Sequence, residues 1–227
     1  MKRITYTFIA CLLIGLSSCL EITEQVHMRS NGSGQFTFTV DMQEAKPLLD
    51  MARNFSSEAN PEAVKSDLST GMDEAHGRLQ KIKGIHQPTL IKSKDGLLSG
   101  ITFEFDNVAA LNKAINAVQN SKGEPQEEYF AWNGQQLHRL NTLKLENEVK
   151  KGTDSGLAGL DLSVNGKSFR EILNSMVYRT EYRFDTPIKG VSNSNATLSA
   201  DKRKVTLERY LLDDSKKAGT LENVIRF

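Results

Sequence analysis

The chain has 227 residues, with 29 lysines and arginines against 28 aspartates and glutamates, a formal net charge of +1. This near-neutral balance gives no electrostatic reason to expect nucleic-acid binding. Two cysteines are too few for a disulfide framework, so an exported form of the chain must rely on its core.

In chain order, Lys2 and Arg3 form a short positive segment, followed by an apolar run from Ile4 to Leu16. That run is too short for a comfortable transmembrane helix, which needs about 20 apolar residues. A charged start, a short apolar segment and small residues before a cut make a secretory signal peptide over residues 1–18. Leu16-Ser17-Ser18-Cys19 resembles the lipobox of bacterial lipoproteins: an aliphatic residue, two small residues, then cysteine. The resemblance implies cleavage between Ser18 and Cys19, with a diacylglyceryl group on the Cys19 thiol. Small side chains let an extended backbone enter a peptidase cleft, and cysteine supplies the nucleophilic sulfur. Each buried acyl methylene contributes about 0.8 kcal/mol, and stable anchoring takes more than one chain. The alternative is an ordinary signal peptide cut nearby, with Cys19 incidental. Cys11 would leave with the signal, so the mature chain would keep no thiol for catalysis, a disulfide or a metal.

Ile22, Val26 and Met28 share one face of a strand, and Phe36, Phe38 and Val40 share one face of the next. Asn31-Gly32 lies between them, a hairpin signal. A helix is expected over residues 42–54, with Pro47 in its first turn. Asn60-Pro61 starts a second helix that runs to about Ile82. Leu90 and Ile91, then Lys94-Asp95-Gly96, then Ile101, Phe103 and Phe105 read as a second hairpin. Asp106 or Asn107 caps a third helix, whose apolar stripe is Val108, Leu111, Ile115 and Val118. Asn133-Gly134 turns a compact hairpin. Residues 142–167 read as a mobile excursion. Ser168 caps a short helix through Met176, and strands then dominate to the end, with a hairpin near Asp201-Lys202. The expected fold is α+β: an antiparallel β-sheet built from hairpins, with three to four helices packed on it. Residues 19–227 form one domain, or two lobes (19–141 and 168–227) joined by the 142–167 segment.

The whole pattern resembles uncharacterised envelope lipoproteins of Bacteroidota-type bacteria. The residues that carry it are Leu16 to Cys19, "NGSGQFTFTVDM" at 31–42, "GITFEFDNVAALNKA" at 100–114 and "PIKGVSNSNATLSADKRKVTL" at 187–207. More distantly, the terminal strands resemble the LppM-type lipoprotein domain. These resemblances imply an envelope lipoprotein and supply no catalytic residues.

Candidate chemistry is sparse. His27, His76, His86 and His138 lack metal-ligand spacing, so no metal is expected. No G-x-S-x-G nucleophile elbow occurs, and Ser33 between glycines is turn chemistry. Gly152, Gly156 and Gly159 do not make a phosphate loop. Asp213-Asp214 and Glu127-Glu128 are adjacent pairs, which point to opposite faces of a strand. Lys202-Arg203-Lys204 offers a contact to anionic lipid headgroups, or is an ordinary hairpin tip. The aromatic set Phe36, Phe38, Phe103, Phe105, Phe130 and Trp132 is either sheet core or the lining of a lipid-accepting cavity.

The reading is a non-enzymatic structural or interaction protein. It is held to a membrane through lipid on Cys19, has envelope proteins as partners, and uses no cofactor, metal or nucleic acid. The rival is a periplasmic lipid or small-molecule binding module. Leu20 follows the cysteine, so the aspartate associated with inner-membrane retention is absent. Glu21-Ile22-Thr23-Glu24 is not the dense acidic run linked to surface export. The resemblance thus favours an outer-membrane anchor facing the periplasm.

Overall fold

The computed structural model describes residues 20–47, 49–50, 61–119, 125–140, 163–164, 167–168, 174–211 and 220–227. Leu16, Ser17, Ser18 and Cys19 lie outside these, as do Gly152, Gly156, Gly159, Asp213 and Asp214.

The Asn31-Gly32 hairpin forms as the alternation predicts. Strand β1 (Glu21–Met28) pairs antiparallel with β2 (Gly34–Asp41) over all eight residues. The Asn31 side-chain oxygen accepts from the Ser33 backbone N–H at 3.0 Å and from its hydroxyl at 2.8 Å. Ser33 is therefore turn chemistry. Helix α1 (Pro61–Leu79) leads to the hairpin of β3 (Ile85–Lys92) and β4 (Leu98–Phe105). Asn107 caps helix α2 (Val108–Gln119), accepting from the Ala110 N–H at 2.9 Å. The next hairpin is β5 (Phe130–Trp132) and β6 (Gln136–Arg139). Then come β7 (Ser163–Val164), β8 (Lys167–Ser168), β9 (Val177–Phe184), β10 (Gly190–Val191), β11 (Thr197–Leu198), β12 (Lys204–Tyr210) and β13 (Asn223–Arg226).

The expected fold class is corrected on two counts. First, among the described residues the molecule is mostly sheet, with two α-helices rather than three to four. A seven-stranded sheet runs β11-β12-β9-β1-β2-β4-β3, and a four-stranded sheet runs β10-β13-β6-β5. Helices α1 and α2 pack on the β3–β4 side of the larger sheet, and the smaller sheet shares the core of the β1–β9 side. Of the first expected helix, the described part is a 3-10 turn, Gln43–Ala45, followed by helical residues at 46–47 and 49–50. Ser168 sits in a two-residue strand paired with Ser163, and Asn174 is helical; the part of the expected helix between them lies outside the described residues. Second, the larger sheet is mixed. Strand β1 runs parallel to β9 from Glu21↔Val177 to Met28↔Phe184. These segments are far apart in sequence, so no local hairpin signal announces the pairing.

One cluster fills the space between the layers. Phe36, Phe38, Ile101, Phe103 and Phe105 of the larger sheet meet Met72 and Leu79 of α1 and Leu111 and Ile115 of α2. Tyr178, Tyr182, Phe130, Leu137 and Ile225 continue it between the sheets. Two asparagines on α2 place the smaller sheet. Asn112 accepts from the Tyr129 and Phe130 N–H groups at 3.0 and 2.9 Å and donates to Phe130 O at 2.8 Å. Asn116 accepts from the Glu127 N–H at 2.9 Å and donates to its carbonyl at 2.8 Å. These bonds satisfy backbone groups that would otherwise be buried and unpaired.

Candidate functional site

Alternation along β1 puts residues 22, 24, 26 and 28 on the core face. Three are apolar, and the fourth is Glu24, fully buried. The same rule on β6 buries Leu137 and Arg139, the latter 1% exposed. The two charges meet in a paired geometry. Arg139 Nε donates to Glu24 Oε1 at 3.0 Å, and Nη2 donates to Oε2 at 3.0 Å. The Tyr178 hydroxyl donates to Glu24 Oε2 at 2.7 Å, and the Tyr182 hydroxyl donates to Oε1. Arg139 also donates to Tyr182 Oη at 3.2 Å and to the Leu140 carbonyl. Its guanidinium lies over the Phe130 and Tyr129 rings, 5.2 and 5.7 Å from their centroids.

This cluster joins the two sheets, since Glu24, Tyr178 and Tyr182 belong to the larger and Arg139 to the smaller. A carboxylate with four donors aimed at it and a guanidinium bound on both edges offset much of the desolvation that burial costs each charge. Burial, and then the negative charge of Glu24, push both phenols well above the ordinary tyrosine range, while Arg139 pulls them back. Burial alone would lower the Arg139 pKa, but the charge of Glu24 overcomes it and holds the guanidinium protonated. The phenols therefore stabilise the fold fully below their unfolded pKa of about 10 and less as pH rises through their higher folded values. The midpoint of urea unfolding is expected to stay level to about pH 9 and to fall above about 10. A Tyr178→Phe variant is expected to show a shallower fall.

The second feature lies at the end of the larger sheet where β1 and β9 finish. Met28, Arg29, Trp132, Phe184, Thr186 and Phe227 line a cleft of about 100 Å³. Met28 and Phe184 are buried in its floor, while Trp132 and Phe227 are half-buried. The Phe227 ring packs edge-on to Trp132 at 5.7 Å and to Phe184 at 4.7 Å. Gly32, at φ +85, lies against the Trp132 indole, where a Cβ would come within 2.9 Å of Nε1.

The histidines are dispersed. His27 bonds Asp185 at 3.0 Å, His86 bonds Asp106 at 2.9 Å and His138 bonds Glu222 at 3.0 Å. His76 bonds the Pro88 carbonyl at 2.9 Å. Among the described residues no three His, Cys, Asp or Glu side chains come together as a metal site. Glu127 and Glu128 precede β5 outside any strand, and the Glu127 backbone is bound by Asn116. Of the six aromatics, Phe36, Phe38, Phe103, Phe105 and Phe130 are buried, with Phe36 and Phe103 stacked at 5.1 Å, and Trp132 instead lines the cleft. The basic turn is placed far from the chain's Glu21 end. Lys204 pairs with Arg183, and Arg183 with His27, six residues along β1 from Glu21. At about 3.3 Å per residue the separation is about 20 Å. Neither the buried cluster nor the cleft is named by the sequence motifs; the signal for the first is the parity of Glu24 with Ile22 and Val26.

No family model matches the chain, and no curated protein matches it. A solved structure that it matches is the folded domain of LppM from Mycobacterium tuberculosis, determined by NMR. The identity is 10% and the TM-score 0.40, over 92% of this chain and 91% of that one. At that level neither fold detail nor role is carried across, and nothing in the comparisons bears on the Bacteroidota-type resemblance.

Proposed function

We propose that this chain is a lipid-anchored protein of the bacterial envelope with a non-enzymatic structural or interaction role, held by acyl chains on Cys19. The observation that carries the reading is the run from Leu16 to Cys19 followed at Glu21 by β1. Strand β1 is the middle strand of seven, paired along its whole length to β2 on one side and β9 on the other. A lipid on Cys19 would thus be joined to the centre of the sheet through one intervening residue, Leu20. Movement of the body relative to the bilayer would be small, and the far end of the sheet would face away from it. Such a short connection suits a protein that holds a partner at a set height more than one that searches for a diffusing substrate. An outer-membrane anchor facing the periplasm is the placement we favour, because Leu20 and the sparse acids after it carry neither alternative sorting pattern.

The anchor is tested by mass spectrometry of the N-terminal peptide of the protein purified from membranes. The expected result is a peptide that begins at Cys19 and carries the mass of acyl chains, with residues 1–18 absent. A peptide that begins elsewhere, or an unmodified Cys19, contradicts the reading.

A further inference from the structure

We propose that the cleft formed by Met28, Trp132, Phe184 and Phe227, with Arg29 at its rim, receives a single apolar side chain from an acidic segment of a partner protein. This rests on the interaction role proposed above and gives that role a surface.

Size selects the class of occupant. Sites that take metabolites or cofactors usually enclose about 300–1,000 Å³, and this one holds about 100 Å³. That is room for one aliphatic side chain. Shape argues in the same direction. The apolar surface is recessed, with Met28 1% and Phe184 3% exposed in the floor. A bilayer is met by apolar groups that protrude, whereas a recess lined by aromatic rings is the form of a pocket that anchors one partner residue.

Charge then selects the flanking residues. The Arg29 side chain is 45% exposed, and its nearest acid is Glu104 at 4.0 Å. Lys189, Lys202 and Arg226 are exposed on the same end and make no ion pair with the described residues. They sit together through the backbone: Lys189 N–H donates to the Arg226 carbonyl at 2.8 Å, and Ile188 N–H donates to the Lys202 carbonyl at 2.7 Å. Arg226 directly precedes Phe227 in the cleft wall. Of the acids here, Asp185 bonds His27, and Asp201 accepts from the Ser199 hydroxyl and lies near Arg183 and Arg203. The cations Arg29, Lys189, Lys202 and Arg226 outnumber the acids Glu104, Asp185 and Asp201, so the end presents an excess of positive charge around an apolar recess. Acidic residues beside an apolar anchor complement it.

Trp132 is the chain's single tryptophan, so its emission reports on the cleft alone. The test titrates the full-length protein in detergent with acetyl-Asp-Leu-Asp-amide, acetyl-Asp-Ala-Asp-amide and acetyl-Lys-Leu-Lys-amide. The expected result is a saturable shift of Trp132 emission with the first peptide only, weakened about tenfold in an Arg29→Ala variant, the scale of one charge-assisted contact. No saturable response, or equal responses to the acidic and basic peptides, overturns the proposal. A shift produced by anionic phospholipid vesicles but not by the acidic peptide overturns it in favour of a membrane contact. If envelope proteins crosslink in cells equally to wild type and to Arg29→Ala, and no peptide binds, the interaction role stands and this surface is not its seat.

Discussion

Replacing Glu24 by alanine is expected to destabilise the protein by about 3–5 kcal/mol, the cost of leaving one charge of a buried pair without its partner. Arg139 is 1% exposed and donates two of its hydrogen bonds to Glu24. Without the carboxylate its charge stays buried, and the hydroxyls of Tyr178 and Tyr182 lose their acceptor. Domains are usually stable by about 5–15 kcal/mol, so this one change removes a large part of the margin. The companion variant separates the pair's net worth from the cost of breaking it. With Glu24→Leu, Arg139→Met, Tyr178→Phe and Tyr182→Phe together, no charge or hydroxyl of the cluster remains. Apolar replacement of buried ion pairs is often neutral or stabilising by about 1–4 kcal/mol, so the fourfold variant is expected to recover most of the loss. Urea unfolding of both variants reads the two values. A Glu24→Ala loss below about 1 kcal/mol would mean that water reaches the cluster and that it does not join the sheets as a dry contact.

Phe103→Ala is expected to cost about 3–5 kcal/mol, the range for a large aromatic removed from a packed core. Phe103 is 1% exposed and stacks on Phe36, which is also 1% exposed, at 5.1 Å. Phe103 lies opposite Phe36 in the β2–β4 ladder, with Thr102 and Glu104 paired to Thr37 and Gln35 on either side of it, so the site cannot collapse easily. This result also separates the two roles weighed from the sequence. In a lipid-accepting cavity the wall ring has a mobile or absent neighbour, and its truncation enlarges a space that lipid already fills. A loss under about 1 kcal/mol, together with tighter binding of a fluorescent apolar probe, would favour the binding module over the filled core.

Much of the fold is legible locally. Asn31-Gly32, Asn133-Gly134 and the Lys94–Gly96 turn sit between alternating runs, and each produces a hairpin. Helices α1 and α2 start near their expected signals at Pro61 and Asn107. What is not legible depends on distance. The parallel β1–β9 pairing and the β10–β13 and β13–β6 pairings of the smaller sheet join segments with no turn between them, and β10, β11 and β13 are two to four residues long, too short to show a period. The same holds for the buried cluster. Glu24 stands on the face defined by Ile22 and Val26, and Arg139 on the face of Leu137, so each is visible as a charge among apolar neighbours. Their partnership spans 115 residues, and no spacing rule links them. In sequence Trp132 stands with the aromatics that are either sheet core or cavity lining; its place in the cleft wall depends on Phe227, which is distant along the chain.

The proposed role requires a body held close to a membrane and engaged with envelope proteins. In-cell crosslinking with identification of the linked proteins by mass spectrometry tests it most directly, comparing wild type with Cys19→Ala. The expected result is a reproducible set of envelope proteins on the wild type that is lost in the variant. Recovery of no protein partner, with a lipid or metabolite co-purifying instead, or an unchanged partner set on Cys19→Ala, would contradict it.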